Sequence, residues 1–382
     1  MSMSEESFSA LSNHLSSVMN SDPGEAVRLA RQISVEHPNM KHLRAATLVD
    51  AGALAHQHDA LLEGLDLLKE LHTSFPASQI TYNLANALNA VAESSHSGAC
   101  WIDCMEAVKA ERKEARQHLW RVANDLDAPA DLRTQAWTNL GNQFSKSFRL
   151  SEAHDAWLAA LALDRTNGVA AYRAAQNLEW LFKLGICSER SYVEAAMLAK
   201  IALACKDTII EYAGKQAADE IEKFAMQLPE PPERTPHTSS FVSWVERERL
   251  ALSQTVELVG ASQEELDWLT LPPILETGCD SPLMPPPVFA MFNSLKSDFI
   301  LARDLAWRSR ASDFWPVTGQ FAETLDYASY GPDMSALALA HRTALDLLDK
   351  VAVVANHHFK LGQDPEKIYF GRLWRVVKKK DI

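Results

Sequence analysis

The sequence predicts an all-α protein, with an N-terminal helical solenoid followed by a C-terminal helical bundle. Three observations lead to this prediction. Helical units repeat along the first part of the chain, prolines cluster in its middle, and the last part contains two long amphipathic segments, 288–310 and 333–361. Repeated helical units that pack on their neighbours form a solenoid, and two long amphipathic helices need a bundle of their own.

Proline marks the boundary between the two parts. Ten of the 17 prolines lie between Pro229 and Pro287, whereas only four precede Leu228. Proline fixes φ and ends helices, so LPEPPERTPHTSS is predicted to be an extended linker. The predicted organisation is a helical repeat domain at 1–227, a proline-rich linker at 228–240 and a C-terminal domain at 241–382.

The clearest repeat unit spans residues 134–167. Its large and small residues alternate as in two antiparallel helices that cross closely: Trp137, Leu140, Gly141, Phe144, Ala153, Trp157 and Ala160. This spacing resembles the tetratricopeptide repeat (TPR). An earlier unit at 45–78 has Gly52, Gly64 and Leu68 in matching places. Trp137, Trp157 and Trp180 are expected to occupy core positions.

Further helices complete about five predicted pairs. EAVRLARQISVEHP precedes the first unit, TYNLANAL and EARQHLWRVA form a pair around an insertion at 94–111, and GVAAYRAAQNLEWL starts another unit. The alternative is a generic helical bundle without repeats. A solenoid of this kind is expected to bind a protein or peptide on its concave face, although the repeat does not identify the partner.

Composition and charge restrict the protein class. A hydrophobic fraction of 47% and a charged fraction of 23% are those of a globular protein, and no apolar run reaches the roughly 18–20 residues of a membrane span. The N-terminus lacks the pattern of a secretory signal, and five scattered cysteines suggest a reducing compartment, so the cytoplasm is predicted. The net charge of −13 disfavours general binding to nucleic acid.

The basic residues are concentrated near the C-terminus. From residue 291 onwards, 13 Lys and Arg accompany 11 Asp and Glu. On segment 288–310, Lys296, Arg303 and Arg310 recur every seven residues and share a side. Candidate RNA-binding or interface residues are therefore Lys296, Arg303, Arg310, Arg342, Lys360, Arg372 and Arg375.

The segment DKVAVVANHHFKLG contains two adjacent histidines with different predicted surroundings. At about 100° per residue, one side of the long helix collects its polar residues: Arg342, Asp346, Asp349, Lys350, Asn356, His357 and Lys360. His358 points among apolar residues and is expected to pack in the core or beside it. The polar stripe is either a functional surface or a solvated face with pairs such as Arg342–Asp346 and Asp346–Lys350.

The blocks FNSLKSDFILARDL, LDLLDKVAVVANHHFKLG and IYFGRLW resemble a HEPN domain (higher eukaryotes and prokaryotes nucleotide-binding), of the subfamily that follows TPR-like repeats in bacterial proteins. SWVERERLALSQTVELVG and DWLTLPPI resemble the start of that domain, so the resemblance covers 241–376. It implies a helical domain that dimerises through its long helices. Many HEPN domains are metal-independent RNases of toxin–antitoxin and antiphage defence systems.

The HEPN resemblance also implies a catalytic pattern, an arginine followed after four to six residues by a histidine. In this sequence Lys350 precedes His357 with six residues between them, while Arg342 is 15 positions away. Lysine keeps the charge of arginine but lacks its planar fork. The usual pattern is therefore not intact.

Three functions are compatible with these residues. The leading hypothesis is a sensor or adaptor in bacterial defence or stress response, whose HEPN-like domain forms a homodimer or higher oligomer and contacts RNA or a nucleotide. The alternative is an active endoribonuclease, in which Lys350 stabilises phosphate charge, His357 transfers protons, and Asp346 and Asn356 orient them. The third is a purely structural scaffold, which predicts that RNA does not bind even at low salt.

No cofactor is expected, because the sequence lacks the phosphate-binding, dinucleotide-binding, nucleophile-elbow and zinc-protease motifs. His96, Cys100 and Cys104 are spaced by four and would share a helix face. A structural zinc site normally has four ligands, and no second cluster supplies the remainder. Small side chains at a helix contact explain the spacing better than a metal does.

Overall fold

The computed structural model describes residues 5–94, 107–187, 189–230, 239–253, 266–274, 285–310 and 331–373. The regular elements in these ranges are helices, in agreement with the predicted all-α class. The chain divides into two compact units: residues 1–180 with 192–231, and residues 181–191 with 232–382. The limits proposed from the sequence, 1–227 and 241–382 with a linker at 228–240, remain predictions.

The first unit is a succession of helices joined mostly by short turns. Their bounds are α1 Glu5–Ser21, α2 Pro23–Arg31, α3 Pro38–Leu54, α4 His58–Ser74, α5 Ser78–Ser94, α6 Lys109–Asn124, α7 Ala130–Lys146, α8 Leu150–Leu163, α9 Gly168–Lys183, α10 Glu189–Ala204 and α11 Lys206–Ala225. From α1 to α8, each helix packs against the next one along the chain. One apolar core runs from α3 to α7, so each pair buries its apolar side against its neighbours.

The packing of α7 on α8 explains the small residues of the clearest repeat unit. A Cβ atom on Gly141 would lie 2.6 Å from Nε1 of Trp157, which is closer than van der Waals contact allows. Trp157 is buried and donates a hydrogen bond of 3.2 Å to Oδ1 of Asn142, while Ala153 is fully buried. The predicted close crossing is thus confirmed. Trp180, expected in the core, is instead partly exposed and packs against Phe148 at 5.8 Å between ring centroids.

The second unit is built around two long helices. Its elements are α12 Ser240–Arg247, α13 Pro287–Arg308, α14 Pro332–His358, a 3₁₀ helix Pro365–Lys367 and α15 Phe370–Leu373. Helices α13 and α14 pack against each other, as the two long amphipathic segments predicted. One apolar cluster joins α12 to α13 through Trp244, Leu266 and Trp307. Another joins the end of α14 to α15 through Ala352 and Leu373.

Candidate functional site

Helix α14 carries the four candidate catalytic residues, Asp346, Lys350, Asn356 and His357. It starts at Pro332, whose fixed φ suits the first position of a helix, and it runs for 27 residues. The buried positions are mainly small, Ala336, Ala340 and Ala352, which allows neighbouring elements to approach closely. The polar stripe therefore lies on a rigid element, and its residues can be compared in one frame.

The two histidines at the end of α14 occupy different environments. His357 is exposed, whereas His358 is half-buried. The Nδ1 atom of His358 is buried without a hydrogen-bond partner, and its ring packs against Phe359 at 5.0 Å between centroids. These positions agree with the helical wheel. His357 therefore offers its ring to a ligand from solvent, whereas Nδ1 of His358 is shielded.

Lys350 is engaged in an ion pair with Asp298 of α13. Its side chain keeps 51% exposure, so water still reaches the ammonium group. The expected pairs of Asp346 with Arg342 and Lys350 are not among the ion pairs of the described residues. A phosphate bound at Lys350 would have to compete with the Asp298 carboxylate, which reduces the positive charge available beside His357.

Asn356 is buried and holds the turn that follows α14. Its Nδ2 atom donates to the carbonyl of Gln363 at 2.9 Å, and its Oδ1 atom accepts from the Gln363 backbone N–H at 3.1 Å. The turn reverses through Lys360 and Gly362, whose φ angles are 52° and 68°. Glycine adopts such an angle without steric cost. Both ends of the Asn356 amide are thus used by the turn rather than directed towards His357.

Of the remaining residues of the stripe, some are exposed to solvent and one stabilises the fold. Arg342 and Asp346 are exposed. Asp349 accepts a hydrogen bond of 2.9 Å from the backbone N–H of Phe370, and so attaches α15 to α14. The sequence argument placed Asp349 on the stripe without assigning this role, because its partner lies 21 residues further along the chain.

The basic side of α13 faces inwards. Lys296 donates to the carbonyl of Leu269 at 2.7 Å. Arg303 is buried and forms a two-pronged ion pair with Asp267, with distances of 2.7 and 2.6 Å, while a third bond of 3.0 Å reaches the carbonyl of Leu250. Arg303 was a candidate for RNA or interface contact. Because its guanidinium is held by Asp267 and by the carbonyl of Leu250, we assign it to stabilisation of the fold.

Of the other basic candidates, the described residues include Arg310, Arg342, Lys360 and Arg372. The Arg310 guanidinium lies over Trp307 at 5.1 Å and Trp244 at 5.6 Å, at the surface of the aromatic cluster. Arg372 is exposed and donates to the carbonyl of Lys367 at 3.4 Å. Arg375 lies outside the described residues, as do His96, Cys100 and Cys104. Within the described ranges, no group of three His, Cys, Asp or Glu side chains is arranged to hold a metal ion.

An open pocket of about 790 Å³ lies beside α13. Its wall includes the Arg303–Asp267 pair, and Phe241 and Trp307 supply aromatic surface. Sequence reasoning did not identify this pocket, because its wall combines α12, α13 and the segment around Asp267. Two acidic and two basic side chains line it, so it has no strong preference for an anion or a cation.

Comparison with known proteins identifies the C-terminal part. Residues 280–382 match a family model described as LA2681-like HEPN. The match contains α13, α14 and α15 and supports a HEPN domain at the C-terminus, whereas segment 241–279 lies outside it. No curated protein matches the chain. None of the helices in the described ranges combines the length and hydropathy of a membrane span.

Proposed function

We propose that this chain is a cytoplasmic sensor or adaptor of bacterial defence or stress response. Its TPR-like solenoid binds a protein or peptide, and its HEPN-like domain forms a homodimer and contacts RNA or a nucleotide. The family match to residues 280–382 supports the HEPN theme. The observation that carries the adaptor proposal is the state of the polar stripe: Lys350 is paired with Asp298, and Asn356 holds a turn.

The proposed dimer surface is the exposed apolar side of α14. Met334, Ala338, His341, Leu345 and Leu348 are exposed and are spaced by four, three, four and three residues. That spacing places all five on one narrow side of a helix and is typical of a seam between two packed helices. Leu345 and Leu348 keep 53% and 43% exposure, and a second copy of the same helix would remove them from water.

The dimer proposal is tested by a charge placed in this seam. Leu345→Glu with Leu348→Glu is compared with Leu126→Glu, a control at the most exposed large apolar residue of the first unit. Sedimentation of the wild type and the control should give twice the mass of the chain, and the seam variant should give the monomer mass. A wild type that sediments as a monomer would contradict the dimer.

The proposed partner surface of the solenoid follows the first helices of successive pairs. Nδ2 of Asn139 on α7 donates to the Tyr82 hydroxyl at 2.9 Å and to Oδ1 of Asn86 at 3.1 Å, both on α5. Nδ2 of Asn83 lies 2.8 Å from Nε2 of His42 on α3. These contacts place polar groups side by side on the surface that the repeat predicts to be concave, where they can bind peptide amides.

Photo-crosslinkers at Tyr82 and Asn86 test this surface. In cells that contain the full chain, they should capture the same protein partner, and a crosslinker at exposed Lys69 should not. If the three positions capture the same set of proteins, the surface has no selective partner and the adaptor proposal fails.

The second candidate function is an endoribonuclease. The observation in its favour is that His357 is exposed on the same helical stripe as Lys350 and Asp346. Wild type, His357→Ala and the control His14→Ala, at an exposed histidine of the first unit, are compared for RNA cleavage and for growth arrest after expression. Loss of both effects in His357→Ala alone would establish the enzyme. Equal RNA stability and equal growth in all three would remove it.

A further inference from the structure

One face of α6 combines positive charge with an exposed indole ring. Lys113, Arg116, Gln117, Trp120 and Arg121 follow each other at helical spacing on this face, while Ala115, His118, Leu119, Val122 and Ala123 are buried on the other. Residues 1–290 carry an excess of negative charge, since the whole chain has −13 and the remainder is slightly positive. A basic face in this part of the molecule therefore departs from its surroundings.

This face forms the wall of an open pocket of about 550 Å³ between α6, α7 and the start of α8. The side chains of Leu140, Phe144 and Arg149 complete the wall, and no acidic residue is among the described residues that line it. The volume lies within the ~300–1,000 Å³ that is usual for small-molecule sites. The pocket has both the size and the sign of charge for an anionic ligand.

The cations of the pocket are largely unneutralised. Arg116 donates to the Ser147 hydroxyl at 3.0 Å, and neither it nor Lys113 or Arg121 takes part in an ion pair with the described residues. Arg149 is paired with Glu152 and lies 4.5 Å from the centre of the Phe144 ring. Burial and the nearby Arg149 and Arg112 lower the pKa of Arg116, which is the direction expected when like charges are held together.

Trp120 supplies a planar surface among the basic side chains of the pocket. It keeps 53% exposure, and its ring is fixed edge-on against Trp137, with 5.4 Å between centroids and 80° between planes. Burying an exposed indole ring against another planar group is favourable. One helical turn, about 5.4 Å, separates Arg116 from Trp120, which suits a phosphate and a base that belong to one nucleotide.

We propose that this pocket binds a nucleotide unit, with its phosphate on Lys113, Arg116 and Arg121 and its base stacked on Trp120. Guanidinium groups match the geometry of phosphate oxygens and bind them through paired hydrogen bonds. Aromatic side chains stack on bases of any sequence. The unit is either a free mononucleotide or part of a single-stranded RNA. The site shares no residue with the polar stripe of α14.

Binding is measured on the full chain with a fluorescent 2′-O-methyl oligoadenylate, which cannot be cleaved through its 2′-hydroxyl, and with AMP. Lys113→Gln with Arg121→Gln removes two exposed charges, and Arg28→Gln with Lys69→Gln removes two exposed charges elsewhere in the same unit. The pocket variant should bind the oligonucleotide at least about tenfold more weakly at low salt, and the slope of log K against log salt should be shallower by roughly 1.4. The control should bind as wild type.

Trp120→Leu tests the stacking separately from the charge. It should weaken oligonucleotide binding by roughly fivefold to a hundredfold, because base–aromatic stacking contributes strongly at such sites. The control Phe75→Leu, also at an exposed aromatic residue, should leave binding unchanged. Circular dichroism establishes that each variant is folded.

Competition with AMP, octaglutamate and inorganic phosphate identifies the class of ligand. Displacement by AMP identifies a free nucleotide as sufficient, and binding of the oligonucleotide without AMP binding identifies the RNA chain as the source; both support the proposal. Equal binding by the pocket variants and their controls would overturn it. Displacement of the oligonucleotide by octaglutamate or inorganic phosphate at concentrations as low as those of unlabelled oligonucleotide would also overturn it, because the pocket would then bind anions without regard to the base.

Discussion

Arginine residues of this chain are used in opposite ways on two helices. On α13, Arg303 is buried, and its guanidinium is held by Asp267 and by the carbonyl of Leu250. On α6, Arg116 and Arg121 face an open pocket without a carboxylate partner among the residues that line it. The first arrangement stabilises the fold, and the second leaves positive charge for a ligand.

This difference shows that the spacing of charges along a helix does not reveal their use. Lys296, Arg303 and Arg310 recur every seven residues, which indicated a surface for a polyanion. Their partners are instead groups of the same unit. The sequence pattern did not single out the α6 face as basic, because Glu111 and Glu114 alternate with its cations. In three dimensions no acidic residue is among those that line the pocket with Trp120, whereas Glu114 lines a neighbouring pocket that shares Lys113 and Arg121.

The largest effect is expected where the charge is buried. Arg303→Ala should lower the free energy of unfolding of the second unit by about 3 kcal/mol, because it leaves the largely buried Asp267 carboxylate without its partner. Thermal and urea unfolding followed by near-UV dichroism of the aromatic cluster would measure the loss. The control is Arg308→Ala, at an exposed arginine that pairs with Asp304 on the same helix. A loss no greater than that of the control would remove the contrast between the two helices.

Local patterns predicted the elements that rest on local packing. Gly141 and Trp157 belong to consecutive helices, so their size relation is readable within one repeat unit, and the structure brings them together. The exposure of His357 and the partial burial of His358 follow from helix periodicity alone. In each of these cases the deciding contacts lie within one helix or one helical pair.

Contacts between distant segments were not predictable in this way. Asp267 lies 36 residues before Arg303, and Asp298 lies 52 residues before Lys350, so no periodicity connects either pair. The sequence likewise did not show that the Asn356 amide would be used by the turn at Gln363. The fold class could therefore be predicted, whereas the availability of each candidate side chain depended on its tertiary partner.

Asp50 is an acidic residue without an ion-pair partner among the described residues. In this respect it resembles the cations of α6. Desolvation by the surrounding protein atoms raises the pKa of its carboxyl to about 6, while water still reaches the side chain. The folded state then binds this proton more tightly than the unfolded state. Stability is therefore lost as the pH rises from about 4 through 6 and is regained on acidification.

Asp50→Asn should consequently stabilise the first unit at pH 7 by up to about 1 kcal/mol, a value reduced for solvent access. The advantage should disappear at pH 4, where the wild-type carboxyl is protonated in the folded state. Urea unfolding at both pH values would measure it. Asp59→Asn is the control, and its effect on stability should have the opposite sign. Arg31 donates a hydrogen bond to the Asp59 carboxylate, which lowers the pKa of that carboxyl. An equal response of the two variants to pH would contradict the assignment.

A smaller effect is expected for the ion pair between α13 and α14. Lys350→Gln should lower the free energy of unfolding by only about 0.2–1 kcal/mol, since the lysine side chain is half exposed. Asp298→Asn should cost a similar amount, and the double variant should cost less than the sum of the two single variants. Additive losses would show that the pair does not interact in solution and would leave Lys350 available to a ligand.

The smallest effect on stability is expected on α6, where the comparison is sharpest. Lys113→Gln with Arg121→Gln breaks no ion pair of the described residues, so unfolding in the absence of ligand should change by no more than about 0.5 kcal/mol. Urea unfolding of the variant beside Arg28→Gln with Lys69→Gln would establish this. The loss of oligonucleotide binding without a loss of stability would then identify charge held for a ligand. A destabilisation close to that of Arg303→Ala would instead mean that the α6 cations support the fold.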